Sequence, residues 1–220
     1  MKLLNNKFPN IFIEKNSLYT KSVDKKTFFD EKTFVNNNIF FREWDPKRSK
    51  LAAGLMKGLS QIGLKEGSIV LYLGASHGYT PSFISDIISN NGFMFCVEFS
   101  PEVARDLVTI CEAKKNMVPI LADANHPEIY KELLTEVDIV YQDIAQKNQV
   151  QIFLRNCDAY LKKEGFGLLA IKARSIDVTK KPRDIYQQVR SELEKYITIV
   201  DYRELEPFEK DHAIFVVKKK

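Results

Sequence analysis

The stretch that most constrains the fold is an apolar run that ends on glycines and leads into a helix. Its letters, starting at Ser68, are S-I-V-L-Y-L-G-A-S-H-G-Y-T-P. The run from 69 to 73 is β-branched and aromatic, as in a strand that is buried on both faces. Gly74 and Gly78 permit a tight turn and let a ligand approach the backbone. Thr80 before a proline predicts a helix N-terminus, where a nucleotide-like cofactor would bind.

The glycine pattern by itself is weak evidence for a particular ligand. It lacks the third glycine of the dinucleotide fingerprint, and no Lys-Ser/Thr pair follows it as in a phosphate-binding loop. These observations argue against NAD and ATP without excluding either. Taken alone, the stretch favours a purely structural turn from strand to helix.

Strand-like and helix-like segments alternate from this stretch to the end of the chain, which at 220 residues is long enough for one sizeable α/β domain with a small appendage. This alternation predicts a parallel sheet with helices on both faces, which binds ligands at the carboxyl ends of its strands. The predicted strands are residues 69–73, 93–98, 118–121, 137–142, 166–172, 197–202 and 213–217, and the predicted helices are residues 101–114, 127–134, 149–161 and 182–195.

The first part of the chain has a different pattern. Short apolar runs, among them Phe28-Phe29, are separated by Asn, Asp and Lys clusters up to about residue 44, which is typical of short strands and hairpins. We therefore predict a small β-rich N-terminal domain over residues 1–44 and a larger domain over residues 45–220. The larger domain is expected to open with a helix that begins at Asp45-Pro46 and ends at Gly63.

The overall composition is that of an ordinary soluble protein. Lysine and arginine number 33 against 29 aspartates and glutamates, a net charge of +4 that is compatible with nucleic acid but does not require it. The three cysteines are an odd number, and those that lie in apolar segments indicate reduced core residues and an intracellular compartment. No apolar run approaches the ~18 residues of a membrane span, and the amino terminus does not read as a signal peptide. We expect a cytoplasmic protein with no membrane partner.

Carboxylates stand at the ends of three predicted strands. Glu98 comes 24 positions after Gly74, close to the spacing of an acid that binds a nucleoside ribose. Asp123, from the next strand, is expected to face an adenine amino group, and Asp143 ends a third strand. Because converging carboxylates favour a cationic ligand and disfavour pyrophosphate, the set favours S-adenosylmethionine over a dinucleotide.

Longer motifs resemble a known family. The sequence resembles fibrillarin, the methyltransferase of box C/D guide RNA particles, over roughly residues 40 to 217. The shared stretches are E-W-D-P-K-R-S-K-L-A-A, Y-L-G-A-S-x-G, L-A-D-A-N, Y-Q-D-I-A-Q, I-K-A-R-S-I-D and E-P-F-E-K-D-H. The β-rich amino end is similar to that of the shorter archaeal-type members, and the Gly/Arg-rich tail of eukaryotic members is absent from the sequence. The resemblance therefore implies an archaeal-type cytoplasm rather than a nucleolus.

The resemblance implies a Rossmann-like class I methyltransferase sheet that binds S-adenosylmethionine. In one departure, Tyr79 stands where the family usually has threonine, so that a backbone N–H rather than a short hydroxyl would hold the methionine carboxylate. We assign no metal ligand. The implied cofactor contacts are Gly74, Tyr79, Thr80, Glu98, Phe99, Asp123, Ala124, Asp143, Ile144, Ala145 and Gln146.

The reaction implied by the resemblance is methylation of ribose 2′-hydroxyls in rRNA and tRNA. By resemblance to the Lys-Asp-Lys-His tetrads of ribose methyltransferases, the catalytic candidates are Lys50, Asp143, Lys172 and His212. Asp143 is expected to orient Lys172, while Lys50 and His212 flank the hydroxyl. Lys172 is expected to be buried at the end of an apolar strand, where it acts either as proton acceptor or as an electrostatic clamp on the alkoxide.

The resemblance also implies partners. They are a Nop-domain scaffold protein, a box C/D guide RNA with its kink-turn-binding protein, and the target rRNA or tRNA. Three alternatives stay open: a methyltransferase of a small molecule or protein, a non-catalytic assembly subunit that binds S-adenosylmethionine, and a nicotinamide oxidoreductase.

Overall fold

The computed structural model describes residues 2–4 and 7–220, which form two β-sheets and six α-helices. The first sheet contains β1 (Lys2–Leu3), β2 (Ile11–Glu14), β3 (Ser17–Lys21), β4 (Thr33–Asn36) and β5 (Ile39–Trp44). The second contains β6 (Ile69–Leu73), β7 (Phe93–Glu98), β8 (Met117–Leu121), β9 (Val137–Gln142), β10 (Leu161–Lys172), β11 (Thr198–Glu204) and β12 (His212–Lys218). The helices are α1 (Lys50–Met56), α2 (Tyr79–Ile88), α3 (Pro101–Lys114), α4 (Gln149–Tyr160), α5 (Ala173–Ile176) and α6 (Pro182–Leu193).

The second sheet carries the carboxyl edge on which the site is built. Its strand order is β11-β12-β10-β9-β6-β7-β8, and the five strands from β10 to β8 run parallel. The chain segments that follow β6, β7, β8 and β9 therefore leave the sheet at one edge. This edge brings together strand ends that are far apart in the sequence.

The alternation of strands and helices predicted a parallel sheet, but the observed sheet is mixed. β12 pairs antiparallel with both β10 and β11. Only residues 205–211 connect β11 to β12, which is too short for the crossover that parallel strands need. The segment 127–134, predicted as an α-helix, is also different, since Pro127–Leu133 forms a 3₁₀ helix.

The first sheet is antiparallel, in the order β1-β2-β3-β5-β4. Phe28 and Phe29 lie outside its strands, contrary to the prediction, and Thr33–Asn36 forms a strand that was not predicted. Asn37 and Asn38, both with positive φ, form the two-residue turn between β4 and β5. An Asn pair between apolar runs is a hairpin signal that the sequence did contain.

Two helix starts also differ from the prediction. α1 begins after Ser49, whose side chain accepts a hydrogen bond from the Ala52 N–H, and it ends at Met56 rather than at Gly63. α2 follows Gly78 in the left-handed conformation, so the predicted cap Thr80 lies inside the helix. A serine two residues before an apolar run competes with Asp-Pro as a start signal, and here the serine is used.

A buried ionic cluster joins the first sheet to α2. Asp86 of α2 accepts hydrogen bonds at 2.9 Å from both Arg42 of β5 and Thr20 of β3, and it pairs with Lys114 of α3. Trp44 stacks on Phe83, with ring centroids 5.3 Å apart. Apolar side chains of both sheets belong to one buried cluster. The division into domains at residue 44 stays a prediction, but these contacts fix α2, and with it the glycine turn, against the first sheet.

Candidate active site

Gly74 and Gly78 bound the turn between β6 and α2. Both have positive φ, at +79° and +88°, a conformation that glycine adopts without strain. A Cβ atom at Gly74 would lie 2.5 Å from the carbonyl oxygen of Asp143, so this position also needs a residue without a side chain. α2 has no side-chain cap and no acidic residue in its first turn. The backbone N–H groups at its start are therefore suited to bind an anion.

Glu98 is fixed by backbone hydrogen bonds at the end of β7. Its Oε1 accepts from the N–H groups of Phe99, at 3.0 Å, and Ser100, at 2.9 Å, and its Oε2 accepts from Ser76 N–H at 2.8 Å. A carboxylate offers about four acceptor sites, so three are occupied and one, on Oε2, remains. The side chain is thus preorganised to accept one hydroxyl of a ligand.

Asp123 and Gln146 are held together by Asn125. Asp123 Oδ1 accepts from both the backbone N–H and the side-chain amide of Asn125, at 2.9 and 3.0 Å. The same amide donates to Gln146 Oε1 at 3.0 Å, and Asn125 Oδ1 accepts from Asn148 at 2.8 Å. The hydrogen bonds from Asn125, backbone first, lower the pKa of Asp123 below its usual value. Asp123 is therefore ionised, and its Oδ2 takes no part in these bonds.

These strand-end segments enclose a cavity of about 270 Å³. Of its lining residues, Phe99 is 68% exposed, which leaves its ring accessible to a planar ligand group, and Ala124 is buried. The lining residues are Gly74, Ser76, Val97, Glu98, Phe99, Ala122, Asp123, Ala124, Asp143, Ile144, Ala145 and Gln146. All eight predicted cofactor contacts from Glu98 to Gln146, together with Gly74, are thus brought to one place.

Lys50 and Asp143 form an ion pair beside this cavity. Lys50 Nζ lies 2.9 Å from Asp143 Oδ2, and the two side chains are 19% and 24% exposed. Burial disfavours the lysine charge, but the charge and hydrogen bond of Asp143 outweigh it and raise the pKa of Lys50 above its ordinary value. The structure corrects the expectation that Asp143 orients Lys172, because the carboxylate pairs with a lysine 93 positions earlier.

Lys172 and His212 are neighbours across two strands. They stand directly opposite each other in the antiparallel pairing of β10 with β12, a position in which side chains on one face touch. The expectation that Lys172 is buried is wrong, because β10 ends at this residue and the side chain is exposed in the cleft.

The protonation of His212 follows from its hydrogen bond. Its Nδ1 lies 2.6 Å from the carbonyl oxygen of Lys210. Because a carbonyl oxygen can only accept, Nδ1 carries the proton, and in the neutral ring Nε2 has the free lone pair. Burial, and then the charge of Lys50, lower the pKa of His212 below its ordinary value. His212 is thus a neutral acceptor at physiological pH.

Glu209 joins Lys50, Asp143, Lys172 and His212 in one cluster of ionisable side chains, which we call the charged group. It was not among the residues predicted from the sequence. Its Oε2 lies 3.8 Å from His212 Nδ1. Burial raises the pKa of this carboxyl, and the charges of Lys50 and Lys172 oppose the rise. Glu209 stands in the E-P-F-E-K-D-H motif three positions before His212, so its place in a quoted motif was the available signal.

The charged group lies in a second cavity, of about 900 Å³. It shares the lining residues Gly74, Ser76, Asp143 and Ala145 with the smaller one, so the two cavities adjoin. Its other lining residues include Phe28, Phe29, Arg48, Lys50, Tyr72, Tyr79, Thr80, Lys172, Glu209 and His212. Tyr72, Phe28, Phe29 and Arg48 were likewise not predicted, since nothing in their spacing points to a shared cleft.

Tyr79 and Thr80 turn their hydroxyl groups away from the strand-end carboxylates. The Tyr79 hydroxyl accepts a hydrogen bond from Asp45 N–H at 3.2 Å, and burial raises its pKa to about 12. The Thr80 hydroxyl donates to Ser49 Oγ at 2.9 Å. What these two residues offer a ligand is therefore the backbone at the start of α2.

Some functions find no support in the described residues. Across residues 2–4 and 7–220, no three His, Cys, Asp or Glu side chains cluster to hold a metal ion. No helix of this part of the chain has the length and apolarity to cross a bilayer. Cys96, Cys111 and Cys157 are free and buried.

Comparison with known proteins identifies the family. The protein-family profile described as Fibrillarin matches residues 4–220. The chain belongs to the fibrillarin family. The fibrillarin-like rRNA/tRNA 2′-O-methyltransferase of Pyrococcus abyssi is 44% identical over 219 residues, which cover 97% of this chain and 96% of that protein.

Two solved fibrillarin structures have the same fold. Aeropyrum pernix fibrillarin, solved with natively bound S-adenosyl-L-methionine, is 40% identical with a TM-score of 0.89, over 97% of this chain and 96% of that chain. The chain matched in the fibrillarin/Nop5p complex is 36% identical with a TM-score of 0.90, over 96% of this chain and 98% of that chain. The predicted family and the Rossmann-like methyltransferase fold class are both confirmed.

Proposed function

We propose that this fibrillarin-family chain is an S-adenosylmethionine-dependent methyltransferase that methylates ribose 2′-hydroxyls of rRNA and tRNA. The Pyrococcus abyssi relative carries this activity in its name, and the Aeropyrum pernix fibrillarin structure holds this ligand. The observation that carries the proposal is the ion pair of Lys50 with Asp143 at the edge shared by the two cavities. It places a fixed cation and a carboxylate where a cofactor in the smaller cavity meets a substrate in the larger one.

The residues of the smaller cavity fit S-adenosylmethionine. The remaining acceptor site of Glu98 suits a ribose hydroxyl, Asp123 Oδ2 suits the adenine amino group, and the exposed Phe99 ring suits the adenine face. The methionine carboxylate would extend into the adjoining larger cavity and bind the backbone at Tyr79 and Thr80, at the start of α2. Within residues 2–4 and 7–220, no lysine lines the smaller cavity, which disfavours a pyrophosphate there. The remaining contacts assigned to the cofactor are Gly74, Ala124, Asp143, Ile144, Ala145 and Gln146.

When bound, S-adenosylmethionine supplies a methyl group on a sulfonium sulfur. The chain's own residues must deprotonate the acceptor hydroxyl and stabilise the oxygen as its charge develops. Lys50 is charged and fixed by Asp143, and Lys172 adds a second ammonium from the end of β10. Two cations beside an incipient alkoxide lower the barrier by electrostatic stabilisation.

His212 is the group that can take the proton. Its Nε2 lone pair is free in the neutral ring, whereas Lys50 is held protonated by its ion pair. In the proposed step the hydroxyl O–H bond breaks and its proton moves to His212 Nε2. The oxygen would form a bond to the methyl carbon as the carbon–sulfur bond breaks, and that bond's electron pair would stay on the sulfur of the departing S-adenosylhomocysteine. Lys172 then acts as an electrostatic clamp, which is one of the two roles that the sequence left open.

We further propose that the chain works within a guided particle in the cytoplasm. The fibrillarin/Nop5p complex supports a Nop-domain protein as scaffold partner. The box C/D guide RNA, its kink-turn-binding protein and the target RNA are proposed from the resemblance. Sequence selection would then come from the guide rather than from this chain.

Transfer of labelled methyl from S-adenosylmethionine to a target RNA, with guide RNA and scaffold partners present, tests the function. We expect label in an alkali-resistant dinucleotide, because a 2′-O-methyl group blocks cleavage at that ribose. Lys172→Ala should lose it, whereas Lys163→Ala, an exposed lysine on the same strand outside both cavities, should retain it. Cofactor binding without any transfer would contradict the proposal and favour a non-catalytic subunit or another substrate.

A further inference from the structure

Arg48 is a cation that lines the larger cavity. It lies between β5 and α1 and lines the cavity two residues before Lys50. Its Nη1 donates to the carbonyl oxygen of Phe29 at 2.9 Å. Within residues 2–4 and 7–220, no carboxylate forms an ion pair with this guanidinium, whereas Lys50 is paired with Asp143.

The guanidinium is held in a fixed orientation by aromatic rings. Its central carbon lies 4.3 Å from the ring centroid of Tyr79 and 6.0 Å from that of Phe29. The two rings meet edge to face, with centroids 5.2 Å apart, and the Tyr79 hydroxyl is tied to Asp45 N–H. An arginine that stacks on a ring keeps its in-plane N–H groups available for a ligand.

We propose that Arg48, supported on Tyr79 and Phe29, binds a phosphate of the acceptor RNA next to the ribose that is methylated. This inference rests on the proposed function, because it takes RNA as the substrate. A free, oriented guanidinium suits a phosphate, whose oxygens accept two parallel N–H bonds. This contact with the phosphate makes Arg48 a substrate-binding residue for the reaction.

The position of Arg48 relative to Lys50 favours a phosphate close to the reacting sugar. Two residues of chain separate their Cα atoms by at most ~7 Å. In RNA the 2′-hydroxyl neighbours the 3′-phosphodiester on the same ribose. A hydroxyl seated between Lys50, Lys172 and His212 therefore brings a phosphate to the part of the cavity that Arg48 lines.

The methionine carboxylate is the other anion that this cavity must accept. The start of α2 already offers it backbone N–H groups without a competing cap. Arg48, by contrast, reaches the cavity from the segment that precedes α1. We therefore assign the RNA phosphate, and not the methionine carboxylate, as the ligand of Arg48. The experiment below distinguishes these two anions.

The test compares Arg48→Gln with Lys47→Gln in the assembled particle. Both variants remove one positive charge, but Lys47 is exposed and does not line the cavity, so general attraction to RNA changes equally. For Arg48→Gln we expect kcat/KM for acceptor RNA to fall about tenfold, as for one charge-assisted hydrogen bond. In a plot of log(kcat/KM) against log salt concentration, the slope for Arg48→Gln should become shallower by about one unit, beyond any change that Lys47→Gln causes.

Calorimetric titration of the isolated variants with S-adenosylmethionine gives the second arm. We expect an unchanged Kd for Arg48→Gln, and a melting temperature equal to that of the parent chain shows that the variant folds. A weakened Kd would overturn the inference in favour of the methionine carboxylate. Equal RNA kinetics for the two variants would also overturn it. An inactive parent particle would instead count against the proposed function itself.

Discussion

The two adjoining cavities differ in how their polar groups are fixed. In the smaller one, Glu98 and Asp123 are held by N–H groups from residues at most 22 positions away, three of them within two positions. In the larger one, Lys50 meets Asp143 across 93 positions, and Lys172 meets His212 across the β10–β12 pairing. The cofactor side is thus built from local turns, and the reaction side is built from elements that only the complete fold brings together.

This difference separates binding from chemistry. A change in a locally fixed carboxylate should weaken the cofactor complex and leave the charged group on the other side in place. A change at Lys172 or His212, which line only the larger cavity, should slow the reaction and leave cofactor binding intact. Each prediction below tests one side of this division.

The largest effect is expected on the reaction side. Lys172→Ala removes an exposed cation from the end of β10 and should lower the single-turnover rate of methyl transfer by about 10²–10³-fold. Calorimetry should give an unchanged Kd for S-adenosylmethionine, since Lys172 does not line the smaller cavity. A loss of cofactor affinity as large as the loss of rate would contradict this separation of binding from chemistry.

The cofactor side should respond in the opposite way. Glu98→Gln removes the negative charge of the carboxylate that would accept a hydrogen bond from a ribose hydroxyl. The change should raise the Kd for S-adenosylmethionine about 10–100-fold. The rate at saturating cofactor should stay within a few-fold of the parent chain. A melting curve checks that the loss of backbone hydrogen bonds has not unfolded the turn. If kcat fell while the Kd stayed constant, Glu98 would belong to the reaction side.

The pH profile sharpens the assignment on the reaction side. The folded-state pKa of His212 lies below its ordinary value, so the neutral ring persists to more acidic pH. We expect kcat to be level near neutral pH and to fall about tenfold per unit only below pH ~6.5. His212→Ala should remove this acid limb together with most of the rate. An acid limb that survives in His212→Ala would assign the proton to another group.

The smallest effects are expected for Asn125, which donates hydrogen bonds to Asp123, and for Asn148, which donates one to Asn125. Asn125→Ala removes the amide that joins Asp123 to Gln146 and should raise the Kd for S-adenosylmethionine about fivefold, as for one neutral hydrogen bond. Asn148→Ala removes only the outer bond to Asn125 Oδ1 and should have a smaller effect. Titration with S-adenosylhomocysteine and its inosine analogue gives a readout specific to the adenine amino group. Discrimination between the two ligands should shrink in Asn125→Ala and persist in Asn148→Ala.

The same contrast explains what the sequence could predict. Residues 69–73, 93–98 and 137–142 form strands as predicted, because short apolar runs bounded by turns are local signals. Ser100 before Pro101 correctly predicted the start of α3, since a cap acts within one helical turn. The carboxylates at these strand ends followed from the same local patterns.

The contacts that depend on strand order could not be predicted. The antiparallel β12 places His212 opposite Lys172, yet nothing in the residues of β12 themselves indicates its direction. The sequence placed Lys172 at the end of its strand, but its exposure there could not be predicted in the same way. The pairing of Asp143 with Lys50 depends in the same way on where α1 packs, which the helix sequence does not specify.

The most direct test of guided ribose methylation uses two guide RNAs on one target RNA. The particle is assembled from this chain with each guide in turn, and alkaline hydrolysis of the product maps the protected linkage. Guided methylation predicts a single protected linkage that moves to the newly specified nucleotide when the guide is exchanged, and that disappears with Lys172→Ala. A protected linkage that keeps its position, or none at all in a particle that binds S-adenosylmethionine, would contradict guided ribose methylation by this chain.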